Sequence, residues 1–281
     1  VSISKEIVLK ESEKRVWIGP DRYVDGGMVL EIDDTPQSLV VLEHPEELHF
    51  EYVSRMGHLI DLYSEPGKAI TALHLGAGAL SIPRYIEHTR PGSRQQVIEK
   101  YAELVDLVRE VLPLPKQASI RFRYGDARAT LKNLPVGLRG AVDVIVVDVF
   151  DGATTPASVC SIEFYQELAA FMKPGGIVMA NIADGPGLRF AKSQVSTLGA
   201  VFKSVAAFSD TGLLKGHRYG NVVMVAGNED LPVEWMPRLL AAGPHPAKML
   251  IGAELSKFAA GAPVVTDLSA VPSSEPKKFF L

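Results

Sequence analysis

Up to about residue 68 the hydrophobic positions come in short runs. Arg15–Ile18, Met28–Ile32 and Ser38–Leu42 are strand-like, and Gly-Pro-Asp, Asp-Gly-Gly and Asp-Asp-Thr-Pro lie between them. Such residues fix or free φ and so turn the chain, which predicts a small antiparallel sheet. Pro45-Glu46-Glu47 then opens a helical pattern in which Leu48, Tyr52, Met56 and Leu59 share one face, and Ser64–Gly67 closes it. The expected boundary falls here, with a β-domain and linking helix over 1–67 and a larger domain over 68–281.

From Lys68 the pattern alternates. Strands are expected at Ala69–Leu75, Gln96–Glu99, Ser119–Arg123, Val142–Val149, Ile177–Ile182, Val201–Ala207 and Asn221–Ala226. Helices are expected at Leu80–His88, Tyr101–Val111, Ala127–Leu134, Ser161–Met172 (ended by Lys173-Pro174-Gly175-Gly176) and Leu188–Leu198. The tail from about Leu231 also reads as helical, with a charged, Pro- and Ser-rich end. Continuous apolar strands between amphipathic helices imply a mostly parallel sheet covered on both faces, that is, a doubly wound α/β fold. Ligands of such folds bind at the carboxyl ends of the strands.

Composition narrows the function. Hydrophobic residues are 47% and charged residues 22%, an ordinary globular balance. Lys and Arg number 29 against 33 Asp and Glu, a net charge of −4, which argues against a nucleic-acid partner. Cys160 stands alone, so an internal disulfide and a cysteine-based metal cluster are excluded; with no apolar run of membrane length and charges within Val1–Lys10, a cytoplasmic protein with no membrane partner is expected. The seven histidines, His245 included, form no metal-binding pair, and no Gly-x-Ser-x-Gly elbow supports a hydrolase.

Four candidate features fall at strand ends. Gly76-Ala77-Gly78 follows the first parallel strand, and its small residues permit either close approach of a ligand or only a tight turn into the next helix. Glu99 ends the next strand, about 20 positions on, where a carboxylate can accept ribose hydroxyls or stand at a helix start. Gly125-Asp126 can meet an adenine amino group, cap the helix beginning at Ala127, or do both. Asp148 interrupts an apolar strand and is followed by Phe150 and Asp151; a carboxylate there needs a partner, either a substrate or backbone amides. Phe150 is placed to stack on a ligand, Tyr165 and Trp235 read as core, Cys160 as a bystander thiol, and the Gly- and Thr-bearing loop 151–160 as a mobile segment expected to order over the site.

Asp148-Val149-Phe150-Asp151 after a Val- and Ile-rich strand, then Phe164-Tyr165 and Lys173–Gly176, resembles spermidine synthase and its aminopropyltransferase relatives. The Gly76–Gly78 loop running into Ser81-Ile82-Pro83-Arg84-Tyr85 looks like a divergent bacterial branch. By this resemblance, Glu99 is the ribose-binding Glu, Asp126 with Ala127 the adenine site, Gln37 a ligand-side residue of the β-domain and Tyr52 a substrate-facing Tyr. Thr266-Asp267 matches a late Thr-Asp-Asp motif. The resemblance runs from about Met28 to Asp267.

The resemblance implies a Rossmann-like methyltransferase fold with a small amino-terminal β-domain, and a homodimer. It implies aminopropyl transfer from decarboxylated S-adenosylmethionine to a small polyamine such as putrescine, leaving methylthioadenosine, without a metal. Asp148 is then the base and Asp151 helps hold cationic groups. Four positions depart from the family pattern: Ala79 for a loop Asp, Val53 for a His or Gln, Tyr101 for an Asp, and Leu268 for the last Asp of Thr-Asp-Asp. Two alternatives stay open. One is an S-adenosylmethionine-dependent methyltransferase, since an acid-free loop at Ala79 would not repel the methionine carboxylate. The other is a catalytically silent nucleoside binder.

Overall fold

In the computed structural model, residues 4–242 and 246–275 are described. His245 and the last residues of the charged tail lie outside them. The fold is α/β, with a four-stranded antiparallel sheet and an eight-stranded mixed, mostly parallel sheet. The chain divides into two compact units, Val1–Thr130 and Leu131–Leu281. Among the described residues no helix is long and apolar enough to cross a membrane.

The first unit opens with β1 (Lys5–Val8), β2 (Arg15–Pro20), β3 (Gly27–Ile32) and β4 (Thr35–Val41), an antiparallel meander in sequence order. β1 was not expected. Its four residues alternate between part-buried and exposed, and carry too little apolar pattern to read as a strand. Val16, Ile18, Leu30 and Val40 form the buried face, in one core cluster with Leu104, Leu107, Val108, Ala79 and Leu80. At about 1.5–3 kcal/mol per buried large apolar side chain, this contact fixes the meander.

Helix α1 (Glu51–Tyr63) starts later than expected. His44–Glu47 forms a turn, Glu47 N–H donating to the His44 carbonyl at 3.0 Å, and Leu48 packs beside α1 at Gly57, where a Cβ would lie 2.4 Å from its methyl carbon. Leu48 therefore shares the helix face without belonging to the helix. Then come β5 (Thr71–Leu75), α2 (Ser81–Thr89), β6 (Arg94–Glu99), α3 (Ala102–Val111), β7 (Ser119–Tyr124) and α4 (Ala127–Leu131). β5, β6 and β7 pair in parallel, in that order.

The second unit holds β8 (Val142–Val147), α5 (Ile162–Ala169), β9 (Met172–Asp184), α6 (Arg189–Val201), β10 (Ser204–Asp210), α7 (Thr211–Leu214), β11 (Gly220–Gly227), α8 (Met236–Ala242), β12 (Ala247–Ile251) and α9 (Gly252–Ala259). β8 and β9 are parallel, but β9–β11, β11–β10 and β10–β12 are antiparallel. Lys173–Gly176 does not end a helix. It forms the irregular start of β9, where Lys173 pairs with Asp143 and a Cβ on Gly176 would lie 2.9 Å from the Val142 carbonyl oxygen. The tail is not wholly helical either. β12 pairs with β10 along Ala247–Ile251, and ladder hydrogen bonds override the helix propensity of Ala, Lys, Met and Leu. Tyr165 is fully buried as expected, whereas Trp235 is 53% exposed, with the Arg238 guanidinium over its ring at 4.7 Å.

Candidate active site

In the first unit the chemistry gathers at three strand ends. Gly76 N–H donates to the Ile98 carbonyl at 2.9 Å, and Gly125 N–H to the Glu99 carbonyl at 2.9 Å, so β5, β6 and β7 end level. The loop after β5 turns through left-handed conformations at Gly76 (φ 92°), Gly78 (φ 49°) and Leu80 (φ 64°). Gly78 has a second reason to be glycine: a Cβ would lie 2.5 Å from Ser38 Oγ.

Glu99 is 8% exposed. Its Oε2 accepts from Ala77 N–H at 3.0 Å and its Oε1 from Tyr101 N–H at 3.1 Å. Burial raises its pKa above the ordinary carboxylate range, opposed by the amides of Tyr101, Ala77 and Lys100 and by the Lys100 charge. Each oxygen of an ionised carboxylate accepts more than one bond, so both retain capacity for a diol. The structure thus brings Gly76, Gly78 and Glu99 together. Asp126 is exposed at the start of α4 and its Oδ1 accepts from Ala129 N–H at 2.9 Å, the capping role; Ala127, the first helical residue, is buried.

Gln37 lies on β4 and its amide donates to its own strand, at Thr35 O, 3.4 Å away. Tyr52 is half-buried on α1, its ring 6.2 Å from that of Phe50. The β4 residue that holds the glycine loop is Ser38, whose Oγ accepts from Ala79 N–H at 3.1 Å. From the other side Arg84 Nε donates to the Ala79 carbonyl at 3.1 Å, while its guanidinium also reaches Leu112 O and Pro113 O. Neither Ser38 nor Arg84 was expected here. The signal was period two along β4, which puts Ser38 on the face opposite Gln37. Ala79 and Val53 are both buried, so neither position offers a polar group.

In the second unit Asp148 follows β8, half-buried, and its Oδ1 accepts from Asn181 Nδ2 at 2.9 Å. Asn181 Oδ1 in turn accepts from Asn221 Nδ2 at 3.0 Å. Phe150 is half-buried and Asp151 exposed. Asp151 and Thr154 exchange backbone bonds of 2.9 and 3.1 Å across Gly152-Ala153, a tight turn with Gly152 at φ 60°.

Loop 151–160 makes hydrogen bonds with later parts of the chain. Tyr219 OH donates to the Ala153 carbonyl, Thr155 N–H to Ser273 Oγ at 2.9 Å, and Ser273 N–H to the Thr155 carbonyl at 2.9 Å. Burial pushes the Tyr219 phenol up to about 12. Cys160 is buried, its thiol directed at the Ala157 carbonyl at 3.1 Å. Asp267 accepts from Ser161 Oγ, and its N–H donates to Glu163 at 2.9 Å, so the Thr266-Asp267 motif braces the start of α5.

No family model matches the chain. The polyamine aminopropyltransferase of Neisseria meningitidis serogroup A is 30% identical over 149 residues, 53% of this chain and 54% of that protein. That of Chromobacterium violaceum is 26% identical over the same shares. The chain therefore spans about half the length of the curated relatives it matches. Among solved structures, a probable spermidine synthase from Corynebacterium glutamicum gives a TM-score of 0.84 at 28% identity, covering 99% of each chain. Spermidine synthase from Thermotoga maritima gives 0.57 at 16% identity, over 94% of this chain and 86% of that one, a likeness of fold alone. The chain is thus similar in sequence over about half its length to polyamine aminopropyltransferases, and in structure over 99% of its length to a probable spermidine synthase.

Proposed function

We propose that the chain is a spermidine-synthase-like aminopropyltransferase. It moves the aminopropyl group of decarboxylated S-adenosylmethionine to a polyamine such as putrescine and releases methylthioadenosine. The observation that carries this reading is the likeness, over 99% of both chains at a TM-score of 0.84, to a probable spermidine synthase. In this reading nucleoside binding and catalysis belong to 68–281, and 1–67 is the small β-domain. The same reading makes the protein a cytoplasmic homodimer, an assembly that sedimentation of the purified chain checks.

The roles follow from chemistry. The Gly76–Gly78 loop lets backbone approach the nucleoside, Glu99 accepts from the ribose hydroxyls, and Asp126 with Ala127 reads the adenine. Glu99 is suited to this because backbone amides already fix the direction of its carboxylate. Gln37 stands on the ligand side of the β-domain. Tyr52, Phe150 and Asp151 take the acceptor. The acceptor nitrogen forms a bond to the aminopropyl carbon, the carbon–sulfur bond breaks, and sulfur keeps the pair and loses its positive charge. Asp148 takes the proton that the nitrogen gives up. Alignment of nitrogen, carbon and sulfur supplies the larger share of the acceleration.

The test is incubation with decarboxylated S-adenosylmethionine and putrescine, with methylthioadenosine quantified by mass spectrometry. Putrescine-dependent release, reduced about 100-fold or more in Asp148→Asn, is the expected result. No release above that variant overturns the putrescine reading. A second reading, methyl transfer from S-adenosylmethionine, is favoured by one observation: Ala79 is fully buried, its amide and carbonyl engaged by Ser38 and Arg84, and brings no acid to the loop. Its by-product is S-adenosylhomocysteine. Binding of methylthioadenosine with no turnover of either donor would mark a silent nucleoside binder.

A further inference from the structure

The sheet places three polar side chains on one face of an otherwise apolar layer. Val147 of β8 lies opposite Ala180 of β9, so the next residue, Asp148, is level with Asn181. Val223 of β11 lies opposite Asn181, which makes Asn221 a diagonal neighbour two residues along. Opposed residues and their neighbours two along share a face. Asn181 is 2% exposed, between Ala180 and Ile182 that are equally buried. A buried amide left unpaired is costly, so its two ends must both find partners.

The order of the chain is dictated by its first member. An ionised carboxylate only accepts, so Asn181 must turn Nδ2 towards Asp148. Its oxygen then faces away and needs a donor, which Asn221 Nδ2 supplies at 3.0 Å. Asn221 is itself held where Ser209 Oγ donates to its carbonyl at 2.8 Å. We propose that Asn181 is a positioning residue for Asp148, fixing the direction of its carboxylate, and that Asn221 fixes the orientation of the Asn181 amide. The kinetic part rests on Asp148 being the base of the proposed transfer; the geometric part does not.

The experiment uses the full chain with Asn181→Ala and, since a buried substitution can prevent folding, Asn221→Ala as a second variant. The first readout is a crystal structure of each variant beside the parent. The Asp148 carboxylate turns away from its parent orientation in Asn181→Ala, and in Asn221→Ala the Asn181 amide turns over or leaves Asp148. An Asp148 carboxylate that keeps its direction in Asn181→Ala, or an Asn181 amide that keeps its direction in Asn221→Ala, overturns the proposal. The second readout is methylthioadenosine release. The proposal expects kcat to fall about tenfold or more in Asn181→Ala while KM for the nucleoside donor stays within about twofold, the pattern of a lost orienting contact rather than lost binding. Unchanged kcat overturns the proposal, as does an equal loss through KM. A parent chain that releases no methylthioadenosine defeats the proposed function instead, and the crystallographic readout still decides the orientation.

Discussion

At the scale of single residues, the buried groups set conditions on both stability and loop shape. His74, fully buried in β5, has its pKa pushed down to about 4 by burial, opposed by its hydrogen bond with Gln95. It is neutral in the fold. The unfolded chain binds a proton near pH 6.5 that the native state refuses, so this contribution is intact above pH 6.5 and is lost as pH falls towards 4, on the order of 3 kcal/mol in all. Urea unfolding at pH 7.5 and pH 5 should show that part of the acid loss in the parent and not in His74→Gln. Gly78→Ala meets Ser38 Oγ and a φ of 49°, and should lower stability by about 1–3 kcal/mol. Ser38→Ala orphans the Ala79 N–H and should cost about 1–3 kcal/mol. In thermal denaturation the double variant should lose less than the sum, because Ser38 is the atom group that the new methyl strikes. The glycines, Glu99 and the cap at Asp126 were legible in the sequence because spacing and residue type constrain them locally. Asn181, Asn221, Ser38 and Arg84 were not, since an Asn in a strand or an Arg in a helix shows its partner only after pairing.

At the scale of elements, one side chain decides how α1 ends. Arg90 is 2% exposed and donates to the carbonyls of Ile60, Asp61, Ser64, Glu65 and Lys68 and to the Ser64 hydroxyl. These include the last-turn acceptors that a helix leaves unpaired. Arg90→Ala should therefore cost about 3–5 kcal/mol in chemical denaturation, and Arg90→Lys should recover little, because an ammonium lacks the fork that reaches several carbonyls at once. Strand and helix order from β5 to α6 followed from periodicity. The pairing direction of β10, β11 and β12 did not, since apolar runs look alike in either direction and the short helix α7 between β10 and β11 is too small for a parallel crossover. Leu48 shows the same limit at a helix start: it matched the helical face by packing on Gly57 from outside.

At the scale of the whole molecule, the fold class was legible because alternation of strand and helix survives errors at individual boundaries. Likeness to aminopropyltransferases is as far as the sequence carries a function, and of the four departures Ala79 and Val53 are the two that the resemblance assigns to amine contacts. If Asp148 is the base as proposed, Asp148→Asn separates chemistry from nucleoside affinity: it should lower release of methylthioadenosine about 100-fold or more while leaving its binding within about threefold in calorimetry. The reciprocal bonds between Thr155 and Ser273 join positions 118 residues apart in the chain. During synthesis from the amino end, the segment after the Asp148 strand therefore stays unfastened until nearly all of this sequence has emerged. The stretch that follows the proposed proton acceptor thus takes its final setting from a residue made 118 positions later.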